Sequence, residues 1–214
     1  MTPNVDHILA LASNDRFVEA YRRAELRVVD GWPVSVALKW LHGVEVPLVP
    51  GSDLVPALFD ECERGKVGLR VFLLGAAPGV AEIAAGRMSE RWSTIRVTGT
   101  CSPNFGFEND PSACQSICDL ISAASPDLLV VGLGAPKQEL WVSENAWRIR
   151  AKVAVCAGAT IDFLSGTKKR APYWVRSLRL EWAFRIVQEP RRLMKRYVKG
   201  MILFPLIVLR EKFR

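Results

Sequence analysis

Leu128-Leu-Val-Val-Gly-Leu-Gly-Ala-Pro-Lys-Gln-Glu-Leu-Trp141 is the stretch that decides the fold class. Four uncharged aliphatic residues in a row read as a strand buried on both faces. Two glycines then make a turn, and Pro136 opens a helix at a position where its missing N–H has no partner to lose. The same strand–turn–helix order recurs outward in both directions. Strands are predicted over residues 26–29, 70–74, 95–98, 128–131 and 153–156, and helices over 33–41, 53–64, 78–92, 111–124 and 136–147. Near-continuous apolar strands separated by helices predict an α/β fold, a parallel sheet with helices on both faces. Such sheets bind ligands at the carboxyl ends of their strands, so the turns after the strands are where chemistry is sought.

The pattern stops near Gly166, which predicts a core over residues 1–167 and a basic helical appendage over 168–214. The appendage holds 14 of the 29 Lys and Arg but 3 of the 22 acids, a net +11 against −4 for the core. Trp174, Trp182, Phe184, Tyr197 and an apolar run over 201–209 interleave with those cations. A cationic, aromatic end on a mildly acidic body points to an anionic surface and a phosphorylated ligand. The apolar run is nine residues, broken by Pro205, whereas about 20 are needed to cross a bilayer. It reads as interfacial. Met1 is followed at once by polar residues, so no secretory signal is expected. Five cysteines without a C-x-x-C pair read as reduced thiols of a cytoplasmic protein. His7 and His42 are far apart and there is no D-x-D pair, so no metal site is expected. No nucleic-acid-binding motif accompanies the basic charge.

Gly75-Ala-Ala-Pro-Gly79 joins a predicted strand to a helix, and its amides suit a phosphate or ribose. It is neither G-x-G-x-x-G nor a P-loop, and an ordinary tight turn would read the same. Asp30-Gly31 ends a predicted strand on the ligand edge. A partly desolvated carboxylate there suits taking a proton from a sugar hydroxyl; capping the next helix is the alternative. Gly132 and Gly134 let the backbone approach a ligand, Lys137 suits a phosphate, and Gln138 suits two-sided hydrogen bonding to a base or sugar. Thr160 and Asp162 follow the last strand, where facing the cleft and capping fit equally. Residues 101–107 read as a loop over the same edge, with Asn104 and Phe105 able to contact a ring. Arg170, Arg185, Arg191, Arg192 and Arg196 form a dense guanidinium set of the kind a metal-independent transferase needs for a departing diphosphate.

Several of these segments together resemble the WecG/TagA/CpsF family of bacterial glycosyltransferases. They are Thr2-Pro-Asn4, Asp30-Gly31, Gly51-Ser-Asp-Leu54, the Gly132–Glu139 motif with Trp141, Gly158 with Asp162 and Gly166, Arg170-Ala-Pro172 with Trp174, and Glu181-Trp182 with Arg185 and Glu189-Pro-x-Arg192. The resemblance covers nearly the whole chain. It implies a Rossmann-like core and a basic appendage that touches the cytoplasmic face of the inner membrane. It also implies transfer of an N-acetylmannosamine-type or related hexose from a UDP donor to a polyprenyl-diphosphate-linked acceptor, in surface polysaccharide or teichoic acid synthesis. On that analogy the enzyme inverts configuration and uses no metal or cofactor, with Asp30 as base. Thr2, Asn4 and Gln138 would line the pocket, Gly75, Gly79, Gly132, Gly134, Lys137 and Asp162 would contact substrate, and Arg170, Arg185 and Arg192 would close over the diphosphate. A homo-oligomer is compatible with this. Leu48 stands where the family usually has an Arg, and the chain starts at the Thr2-x-Asn4 motif, so a shortened first element is expected. Two other classes share the fold or the charge: a nicotinamide-dependent oxidoreductase, which lacks its G-x-G-x-x-G here, and a membrane-surface scaffold with a silent core.

Overall fold

The structure, a computed structural model, describes residues 1–213, and of Tyr173 and Arg192 the backbone alone. Four of the five predicted strands form one sheet: β1 (Leu69–Gly75), β2 (Ile95–Cys101), β3 (Leu128–Gly132) and β4 (Val153–Cys156). All pairs are parallel, in the order β2-β1-β3-β4. Alternate side chains point to opposite faces, so each strand feeds two cores. Val71, Leu73 and Val130 pack with α4 (Gly51–Gly65), α5 (Val80–Arg91) and α8 (Thr160–Ser165). Phe72, Leu74, Leu129 and Val131 pack on the other face with α6 (Pro111–Ala124) and α7 (Lys137–Asn145). Both faces are therefore covered, which is why β3 and β4 carry no polar alternation, whereas the edge strand β2 does (Arg96, Thr98, Thr100). Asp110 caps α6, its side chain accepting from the Ser112 and Ala113 amides with Pro111 at the first helical position.

One predicted strand is a correction. Residues 26–29 join no sheet. They run extended beside the N-terminal segment, where the Val28 amide donates to the Met1 carbonyl and the Asp30 amide to Pro3, while the Val49 amide donates to Val29. An apolar run with backbone partners on two loops looks, in sequence, like a sheet strand. Residues 5–23, to which the pattern assigns nothing, form α1 (Val5–Leu11) and α2 (Asp15–Arg23), capped by Asn4 and Asn14. Then comes α3 (Trp32–His42), which ends at Gly43 with φ +67°. After the sheet come α9 (Tyr173–Ser177), α10 (Glu181–Gln188) and the 23-residue α11 (Pro190–Lys212). The start of α11 packs on α1 and α10.

The chain leaves β1 for β2 on one side and returns as β3 on the other, so strand order reverses between β1 and β3. A crevice at this reversal is the ligand position of open α/β sheets. Here the two strands end on paired glycines, Gly75 and Gly132. Gly75 has φ +115°, and a Cβ there would lie 2.5 Å from the Gly132 carbonyl oxygen. Gly75→Ala is therefore expected to lower stability by about 2–4 kcal/mol, since strain and a backbone clash add. Gly79 also has positive φ (+81°) but open space around it, so Gly79→Ala should cost only about 1 kcal/mol. Urea unfolding of both variants checks the difference.

Candidate active site

A cleft of about 470 Å³ opens at the carboxyl end of the sheet, above β1, β3 and β4. Its floor is the turn after β1 (Ala76, Ala77), the loop after β3 (Gly132–Ala135) and the turn after β4 (Ala157–Ala159). One wall comes from the N-terminal segment and the other from α10 and α11. Nine of the predicted site residues line it: Thr2, Asn4, Asp30, Gly132, Gly134, Lys137, Gln138, Asp162 and Arg185. Gly75 and Gly79 do not; their turn reaches the cleft through Ala76 and Ala77. Arg170 lies behind the wall, donating to Ser52 Oγ at 3.1 Å and pairing with Asp53 at 2.5 Å, which ties it to the start of α4. The Arg192 side chain lies outside the described residues. Arg191 is exposed, and Leu48 is also away from the cleft.

Each wall residue is held from the backbone upward. The buried Thr2 hydroxyl donates to the Cys156 carbonyl at 3.1 Å, which pins the N-terminal segment to the end of β4. Asn4 caps α1, accepting from the His7 amide at 3.2 Å. Asp30 is presented by the extended 26–30 segment and not by a sheet strand. Its amide donates to Pro3 at 2.9 Å, so the base candidate and the Thr2–Asn4 segment move as one unit. Gln138 is buried: its Oε1 accepts from the Gly134 amide at 3.2 Å and its Nε2 donates to Glu139 at 2.7 Å. That leaves one Nε2 hydrogen, so Gln138 fixes the glycine loop more than it offers two-sided contacts. Lys137 pairs with Glu108 at 2.7 Å and lies over the Phe105 ring, whose other face is in solvent.

Charge in the cleft is uneven. Burial pushes the Asp30 carboxyl up to about 6; Arg185 opposes that shift, while Glu181 and Asp53 add to it. Arg185 pairs with Glu181 at 2.9 Å and lies near the Phe163 ring, and its buried Nε lacks a hydrogen-bond partner among the described residues. Lys168 bridges Asp162 (3.0 Å) and Glu189 (2.9 Å). Arg196 reaches the cleft from α11 while pairing with Asp6 on α1. So three cations from residues 168–196, each held by a carboxylate, line the same concavity as Asp30. A carboxyl poised near neutral pH opposite fixed positive charge can take a proton while a neighbouring anion is stabilised.

Beneath this wall lies a polar group the sequence reading missed. His7 Nδ1 bonds the Tyr21 hydroxyl, and His7 Nε2 lies 3.4 Å from Glu139 Oε1, with both His7 and Glu139 almost fully buried. Burial drives His7 down to about 4, and likewise drives Glu139 above the usual carboxylate range. The contact is thus between an imidazole that burial keeps neutral and a carboxyl whose proton affinity burial raises. The available signal was His7 three residues after the Asn4 cap. Its partners come from another helix and from the Gln138-Glu139 pair, far off in the chain.

The whole chain, residues 1–214, matches the model of the Glycosyl transferase WecG/TagA/CpsF family. Its relatives include the N-acetylglucosaminyldiphosphoundecaprenol N-acetyl-beta-D-mannosaminyltransferases of Staphylococcus aureus strains MRSA252 and MW2. Each is 29% identical over 202 residues, covering 90% of this chain and 73% of the relative. No helix among the described residues is long and apolar enough to cross a membrane.

Proposed function

The chain belongs to the WecG/TagA/CpsF family of glycosyl transferases, and from that premise we propose an inverting, metal-independent sugar transfer from a UDP donor to a polyprenyl-diphosphate-linked acceptor. The sugar is N-acetylmannosamine or a related hexose, as the relatives' names suggest. The observation that carries this is Asp30, with its pKa raised to about 6, facing Arg185 in one cleft at the strand ends.

In the proposed step Asp30 accepts the proton of the acceptor hydroxyl as that oxygen attacks the anomeric carbon. The bond from that carbon to the diphosphate oxygen breaks, configuration inverts, and UDP departs with its extra negative charge. Arg185, Lys168 and Arg196 would meet that charge where a metal ion otherwise does. Gly132 and Gly134 let the backbone approach the donor. Exposed Trp32, Trp40, Trp174, Trp182 and Met201, interspersed with basic residues, support peripheral docking on the cytoplasmic face of the membrane. Each Lys or Arg near an anionic leaflet adds about 1 kcal/mol.

Incubating the protein with a panel of UDP-sugars and a polyprenyl-diphosphate N-acetylglucosamine acceptor, then weighing the products, tests the reading. One added N-acetylhexosamine is expected. Liposome binding with no product from any donor would leave a membrane-surface scaffold instead. The base must be ionised to work, so kcat/KM should be flat above pH 7 and fall about tenfold per unit below pH 6. A flat profile down to pH 5 would remove Asp30 as the base.

A further inference from the structure

A second cavity, of about 290 Å³, lies between α1 and α11 and belongs to no site described so far. Its walls are Leu9 from α1, Ala12 and Ser13 from the turn after it, and Leu203, Leu206 and Ile207 from α11, with Lys199 and Arg210 on the same α11 face. Positions 199, 203, 206/207 and 210 recur every three or four residues, which makes one helical stripe. The two cations are separated by about 16 Å of helix axis at 1.5 Å per residue, with only apolar side chains lining α11 between them. Leu203 and Leu206 are 36% and 58% exposed. The groove is open, apolar along its length and positively charged at both ends.

Its position gives it an occupant. Both helices start at the cleft and run away from it. His7 and Arg196 line the cleft, while Leu9, two residues on in α1, and Lys199, three residues on in α11, line the groove. Gly200 lets α11 approach Val5, since a Cβ there would lie 3.1 Å from Val5 Cγ1. On the reading proposed above, the acceptor is a sugar joined through a diphosphate to a hydrocarbon chain. If its hydroxyl is at Asp30, the hydrocarbon begins one sugar ring and one diphosphate away. An apolar trough that begins with a lysine beside the cleft mouth matches that order: sugar, anion, chain.

We propose that the α1–α11 groove binds the isoprenoid segment next to the acceptor's diphosphate, with Lys199 on the anion and Leu9, Leu203, Leu206 and Ile207 on the chain. The bilayer takes the chain beyond Arg210. This inference rests on the transferase reading, and the experiment separates the two. Transfer is measured with two acceptors that differ only in the lipid, a long prenyl chain or a short water-soluble alkyl group, for the wild type and for Leu206→Glu and Ile207→Glu.

The wild type should favour the long chain through a lower KM. Each variant should cut the long-to-short ratio of kcat/KM tenfold or more, while pelleting normally with acceptor-free anionic vesicles. Equal losses on both acceptors, or an unchanged ratio, would overturn the groove assignment. So would a parallel loss of vesicle binding, which makes the face a bilayer contact, or a change of oligomeric state by sedimentation, which gives it to a second copy. Leu206→Ala, which adds no buried charge, keeps the test valid if the glutamates fail to fold; its ratio should fall severalfold, and an unchanged one counts against the groove. No transfer by the wild type to either acceptor sinks the transferase reading itself.

Discussion

Asp30→Asn is expected to cut turnover 10²–10⁴-fold, the usual scale for losing a general base. It should also make the protein more stable. Burial raises this carboxyl from 3.8 to about 6, so at neutral pH the fold holds a charge that the unfolded chain carries more easily. Two pKa units correspond to about 3 kcal/mol at most, and asparagine of the same shape should recover about 1–3 of them. The sign is specific. With a raised folded pKa, the penalty is present in full above pH 6 and gone below about pH 4, so the gain should vanish on acidification. Parallel urea melts at pH 7 and pH 4 read this directly. A variant that is inactive and also less stable at pH 7 would mark Asp30 as a structural residue; it does not cap α3, whose N-cap is Gly31 without a side-chain bond.

Arg185→Ala should lower kcat by about 10²–10³, as for losing one fixed donor to a developing anion. Its effect on the base separates it from a merely structural residue. Arg185 pulls the Asp30 carboxyl down, so removing it should push that group higher still and move the acid limb of the pH profile to higher pH. Arg185→Lys keeps the charge but loses the planar fork, so it should keep the limb near its original place and recover only part of kcat. If Arg185→Ala leaves both kcat and the limb unchanged, the guanidinium has no part in transfer.

The sheet was legible because buried parallel strands are apolar without interruption: Leu128–Gly132 and Val153–Cys156 carry no charge. The 26–29 run misled for the same reason in reverse, since two loops rather than sheet strands satisfy its backbone. Asp30 could be singled out as a carboxylate before glycine, yet its place in the cleft depends on a backbone bond to Pro3, which no local pattern encodes. Gln138 was visible as a polar residue in a glycine turn, but its bonding to Gly134 and Glu139 was not. Arg170 and Arg185 look alike in sequence; only the fold turns one toward Ser52 and Asp53 and the other toward the cleft. The His7–Tyr21–Glu139 group is a purely tertiary product.

The Asp6–Arg196 pair joins residues 190 positions apart, and both belong to helices that wall the cleft. Closure of the site thus joins parts of the polypeptide that are far apart in sequence. A chain cut before α11 would keep the four strands and lose that wall of the cleft.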